Sequence, residues 1–148
     1  MIKVCLADNH PVTHFGVKSY FKDHDEISIV ANVGNFSMVR DILQTKEIDI
    51  LILDLELEGL SSIFEVKSIL KNFPKTKIVI FSDLAEQMYA PNAIKAGVSG
   101  YVHKTEKLET LGLSIIKVHE GKIIINETVR KNMALIAKQS KSERLYRK

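Results

Sequence analysis

Five short apolar runs recur along the chain, and the segments between them change periodicity. The runs are 2–7 "IKVCLA", 27–33 "ISIVANV", 49–53 "DILIL", 77–81 "KIVIF" and 99–103 "SGYVH". The third and fourth are continuous rather than alternating, as strands of a parallel sheet are when both faces are covered. Segment 11–22 opens on Pro11, which a first helical position allows, and spaces Val12, Phe15, Tyr20 and Phe21 at helical intervals. Segments 36–45, 61–72 and 106–119 read in the same way, with Ser61 and Thr105 as the expected N-caps. Strands alternating with helices of about 10–15 residues define an α/β doubly wound fold. In "AEQMYAPNAIKAG", Pro91 disfavours helical geometry at Ala90, so a short or broken helix ending at Gly97 is expected. A sixth helix is expected over 127–139 with Asn126 as its cap, followed by a polar linker.

Bulk properties exclude several classes. At 148 residues the chain is the size of one domain. No window approaches the roughly 18 consecutive apolar residues of a membrane span. The start "MIKVCLADNH" enters a strand directly, without the basic and apolar regions of a secretory signal. Cys5 is the only cysteine, so no disulfide framework exists, and a reducing cytoplasm is the expected setting. The formal charge of +3 belongs to the tail 138–148, where five basic residues face Glu143 alone. The body therefore carries no basic excess for nucleic acid, and the tail reads as a solvated linker.

Polar residues gather where the strands end. Asp8 and Asn9 follow the first run, Asp54 the third, Ser82 and Asp83 close the fourth, and His103 and Lys104 close the fifth. An aspartate ending the aliphatic run "IDILILD" costs stability unless it is paired, solvated or used. In an open α/β sheet, ligands bind at the carboxyl ends of the strands. Parallel strands would bring Asp8, Asp54, Ser82 and Lys104 to one edge. Two carboxylates with an open face suit Mg²⁺, a lysine can hold an anion arriving on the metal, and a hydroxyl can donate to it. Those parts make a site for placing a phosphoryl group on a carboxylate. Elsewhere, Cys5 reads as an inert core residue and His103 as structural. His10 and His14 have i, i+4 spacing but no evident third ligand, which argues against a zinc site.

On these residues the chain resembles the receiver domain of two-component response regulators. The likeness spans about residues 1–120 and rests on "ADNHP", "LILDLELEG", "IVIFSD" and "KAGVSGYVHKTE" in that order. The pieces "ADNHPVTHFGVK" and "AGVSGYVHKTE" are most similar to the LuxR/NarL-type branch. The resemblance implies a flavodoxin-like, five-stranded parallel sheet of order 2-1-3-4-5, helices on both faces and an additional C-terminal linker helix. It implies that Asp54 accepts phosphate from a sensor histidine kinase. Mg²⁺ would be held by Asp8, Asn9, Asp54 and the backbone carbonyl of Glu56. Ser82 would donate to the phosphoryl group, Lys104 would pair with it, and Tyr101 would move with Ser82. A receiver over 1–121 would lead through a linker over 122–148 to a DNA-binding helix-turn-helix domain beyond the chain. A homodimer is the expected partner state, and no membrane partner is expected.

Three positions depart from the family pattern. Asn9 replaces a second acidic residue, Asp83 stands where a small residue is usual, and Glu58 replaces a proline before Gly59. These departures keep a second reading open, that of an interaction module working without phosphorylation. An aspartyl-nucleophile phosphohydrolase is the third class. It would usually carry an aspartate where Glu56 stands. No glycine-rich phosphate loop follows the first strand.

Overall fold

A computed structural model describes residues 1–146, with side chains described through residue 142. The chain forms β1 (Ile2–Ala7), α1 (Pro11–Phe21), β2 (Ile27–Val33), α2 (Ser37–Thr45), β3 (Ile50–Leu53) and α3 (Ile63–Asn72). It continues through β4 (Lys77–Ser82), α4 (Glu86–Lys95), β5 (Gly100–His103), α5 (Leu108–His119) and α6 (Glu127–Tyr146). The strands make one sheet in the order β2-β1-β3-β4-β5, and every pairing is parallel. This is the expected flavodoxin-like order.

The unbroken aliphatic run of β3 follows from burial on both sides. Leu51 and Leu53 join Cys5, Val66, Ile69 and Ala90 in one apolar cluster. Ile50 and Ile52 join Leu6, Val17, Phe21 and Ile115 in the other. A side chain reaches the opposite face every second residue, so each strand feeds both clusters. Cys5 is fully buried, and burial pushes its thiol pKa up to about 12, with Lys46 opposing the shift, as suits an inert core residue. In β2 the parity changes midway. The register slips between Val4 and Cys5, opposite Ile29 and Ala31, and leaves Val30 as an extra residue. Ile27 and Ile29 therefore face α1 and α5, while Ala31 and Val33 face the other layer.

Two expectations at the helices need correction. Pro91 does not break α4, which runs continuously for 10 residues and stops before Gly97, whose φ of +107° reverses the chain. Proline has no N–H to give the Gln87 carbonyl, so one helical bond is missing. Fully buried Ala90 and Ala93 still hold the helix on the sheet, and α6 packs along its outer side. The sixth helix also extends beyond residue 139 to Tyr146, so the segment read as a linker is helical there. Arg147 and Lys148 of the basic tail lie outside the described residues.

The connection into α6 is tied to the sheet. Tyr101 N–H donates to the Ile124 carbonyl at 2.9 Å, and Ile124 N–H donates to Ser99 at 2.9 Å, so Ile124 bridges beside Gly100. Asn126 caps α6 as expected, its Oδ1 accepting from Val129 N–H at 2.8 Å. Val129 is buried in the same cluster as Leu51 and Leu53. Among the described residues, no helix is long and apolar enough to cross a membrane.

Candidate functional site

Because all five strands run the same way, their carboxyl ends open on one edge. The ladder continues one residue past the strands and fixes the backbone there. Asp8 N–H donates to Val33 at 3.0 Å, Asp54 N–H to Ala7 at 3.0 Å, and Lys104 N–H to Ser82 at 2.9 Å. The side chains of Asp8 and Asp54 are each only 1% exposed. Lys104 Nζ lies 2.7 Å from Asp8 Oδ2 and 2.8 Å from Asp54 Oδ2. One ammonium thus serves two buried carboxylates that would otherwise repel. Burial works against the Lys104 charge, but hydrogen bonds to Asp54 and Asp8 outweigh it, and the lysine pKa lies above its ordinary value. The remaining carboxylate oxygens face turns: Asp54 Oδ1 accepts from Glu56 N–H at 3.0 Å, and Asp8 Oδ1 from His10 N–H at 2.7 Å.

Ser82 and Tyr101 meet at the next loop. Ser82 is fully buried, and its Oγ accepts from Leu84 N–H at 3.2 Å. Tyr101 lies inward and donates its hydroxyl to the Leu84 carbonyl at 2.7 Å. Burial pushes the Tyr101 pKa up to about 12, with a hydrogen bond to Ser82 opposing the shift. Asp83 is exposed, so its carboxylate does not fill the pocket. Its carbonyl is 2.9 Å from His103 Nε2. A carbonyl only accepts, so Nε2 carries the proton and Nδ1 accepts from Thr105 N–H at 3.1 Å. His103 is therefore a loop tie. Glu56, Glu58 and Asn9 are exposed around the edge. The Glu58 carbonyl accepts from Phe36 N–H at 2.7 Å, and Gly59 turns the chain with a φ of +86°.

One pocket residue escaped the sequence reading. His10 Nδ1 stands 3.1 Å from Asp8 Oδ1, 3.6 Å from Asp54 Oδ2 and 3.1 Å from Lys104 Nζ. His14, paired with it in the sequence, instead turns Nε2 to the Asp8 backbone carbonyl. The signal for His10 was its place two residues after Asp8, on the turn leading from strand to helix.

The donor set fits a small divalent cation. Asp8, His10 and Asp54 each offer a ligand atom, and these lie within 4.8 Å of one another. Asp8 Oδ2 is buried, and among the described residues its partner is the Lys104 ammonium at 2.7 Å. A buried carboxylate oxygen that already faces a cation suits a metal.

The chain is similar to known proteins in sequence and in fold. The family described as response regulator receiver domain matches residues 4–116. The nitrate/nitrite response regulator protein homolog of Haemophilus influenzae is 29% identical over 136 residues, which is 90% of this chain and 64% of that protein. The chain thus spans less than two thirds of that relative. A LuxR-family two-component response regulator from an Aurantimonas species superposes with a TM-score of 0.80 at 23% identity, covering 91% of this chain and 96% of that one. RcsB of Salmonella enterica, solved bound to the promoter rprA with a phosphomimetic, superposes with a TM-score of 0.71 at 20% identity, covering 78% and 66%. With the family matched over most of its length and the fold shared, this chain belongs to the response regulator receiver domain family.

Proposed function

We propose that Asp54 is the phosphoacceptor of a phosphorelay. The observation that carries this reading is Asp54 itself, a buried carboxylate at the end of a central strand with a lysine ammonium at 2.8 Å. An Asp54 carboxylate oxygen attacks the phosphorus of a phosphohistidine on a sensor kinase. The P–N bond breaks, and the departing imidazole nitrogen keeps the electron pair and takes up a proton. Lys104 then pairs with the new phosphoryl oxygens. Ser82 Oγ accepts from Leu84 N–H, and its hydroxyl would turn to donate to them.

Asp8, Asp54 and the Glu56 carbonyl would hold Mg²⁺, with Asn9 at the rim. When bound, that ion neutralises charge shared by the carboxylates and the phosphoryl group. Ser82 turning toward phosphate would loosen the Leu84 loop and release Tyr101 from its inward position. The readout is a change of self-association on a helix face, either α4, β5 and α5 or α1 and α5. Residues 1–121 are the receiver. Residues 122–148 are the linker toward a DNA-binding helix-turn-helix domain, a reading supported by the promoter-bound relative. The setting is the cytoplasm. The exposed Asp83 carboxylate leaves room for phosphate, which favours this reading over a phosphorylation-independent module.

The test is intact mass after incubation with Mg²⁺ and acetyl phosphate, beside Asp54→Ala. A single phosphate adduct that disappears in the variant is expected. No adduct on the folded protein, with beryllofluoride also failing to bind, would leave the interaction module as the better account.

A further inference from the structure

The Asp8 pocket is arranged for a nitrogen ligand as well as for oxygen. Lys104 Nζ lies 3.1 Å from His10 Nδ1, and a lysine ammonium can only donate. Nδ1 therefore presents its lone pair to the pocket, and the ring proton sits on Nε2. That leaves Nδ1 facing Asp8 Oδ1 at 3.1 Å with no proton between two acceptors. A protonated Nδ1 would instead meet the ammonium donor to donor. In the first form a single lysine cation is shared by three basic atoms of Asp8, His10 and Asp54.

The two separations from His10 are close to those of ligands around one ion. Donors about 2.1 Å from a metal lie roughly 3.0 Å apart along an octahedral edge and roughly 3.4 Å apart in a tetrahedron. His10 Nδ1 stands 3.1 Å from Asp8 Oδ1 and 3.6 Å from Asp54 Oδ2, and all three donors lie within 4.8 Å of one another, so side-chain rotation would bring them onto one centre. The His10 side chain is half exposed, which leaves it free to make that rotation. A second observation points the same way: Asp8 Oδ2, on a side chain 1% exposed, is met by the shared Lys104 ammonium at 2.7 Å, a cation already held where a metal ion would sit. Asn9, meanwhile, supplies no charge at this rim. A site with one carboxylate fewer loses attraction for a hard ion, whereas imidazole adds affinity for borderline ions.

We propose that His10 ligates the divalent cation through Nδ1, making this a two-carboxylate, one-imidazole site that prefers a first-row transition ion such as Mn²⁺ to Mg²⁺. The inference rests on the cation-assisted phosphoacceptor reading above and adds the identity of a ligand and the class of ion.

The experiment is calorimetric titration of the full chain with Mn²⁺ and with Mg²⁺, joined to electron spin-echo detection of nitrogen coupled to bound Mn²⁺. The wild type should bind Mn²⁺ at least about tenfold more tightly than Mg²⁺, and should show nitrogen coupling. His10→Ala and His10→Gln should each lose the coupling and most of that preference. Circular dichroism would confirm that both variants are folded. Mn²⁺ bound without nitrogen coupling, or with affinity untouched in both variants, overturns the proposal. An acetyl phosphate adduct that persists alongside that result leaves the phosphoacceptor reading standing. Failure of either ion to bind, together with no adduct, overturns both.

Discussion

A single ammonium stands between two carboxylates that are both withdrawn from water, and much of the pocket's behaviour follows from that balance. Replacing Lys104 by Met keeps the length of the side chain and removes the charge. The two aspartates are then buried without a partner, and a loss of about 3 kcal/mol or more is expected in urea denaturation at neutral pH. Added Mg²⁺ or Mn²⁺ should restore more stability to this variant than it adds to the wild type, because binding to the folded state alone is stabilising. Asp8, Asp54, Ser82 and Lys104 were legible in the sequence for a simple reason: parallel strands bring like ends together. His10 was not. It was read as the helical partner of His14, four residues on, but its backbone is extended, with φ −91° and ψ 114°, and it lies just outside α1. Helical spacing therefore does not govern where its ring points.

The ends of elements depend on competition between neighbouring polar groups, and this is where the sequence reading shifts by a residue or more. For α3 the expected cap was Ser61, yet Ser62 takes the position, its Oγ accepting from Phe64 N–H at 3.1 Å. Glu65 closes the box by accepting from Ser61 N–H at 2.9 Å, Ser62 N–H at 3.2 Å and Ser61 Oγ at 2.6 Å. Thr105 was expected to cap α5. Its Oγ1 is engaged with His103 Nδ1 at 2.8 Å, and the helix starts only at Leu108. Ser62→Ala should cost about 1 kcal/mol in thermal or urea unfolding. The hydrogen bonds from Ser61 hold the Glu65 pKa below its ordinary value of 4.5. A carboxyl depressed in the folded state stabilises fully above its unfolded pKa, and that contribution fades as pH falls through the folded value. Glu65→Gln should therefore flatten the loss of Tm on acidification below pH 4.5. In α4, Pro91→Ala supplies the missing N–H to Gln87 and should raise stability by about 1 kcal/mol, read as a higher Tm.

At the scale of the molecule, fold class and strand order were readable because both faces of the sheet are covered and the strands are correspondingly aliphatic. The reach of α6 was not readable, since its composition is polar and most of its described side chains are exposed. What fixes it is a small amount of packing at its start: Val129 in the core, the Asn126 cap, and Asn126 N–H donating to Glu86 Oε2 at 2.6 Å. Val129→Ala removes two buried methyl groups and should cost about 1.5 kcal/mol. Hydrogen exchange should quicken along α6 while β1 and β3 stay protected.

The segment that leads into that helix also shapes a margin of the sheet. Ile124 lies along the outer margin of β5, and the extra residue Val30 kinks the opposite margin at β2. Neither border offers a straight row of free peptide groups onto which a foreign strand could zip. Growth of the sheet by strand addition at either border is therefore disfavoured.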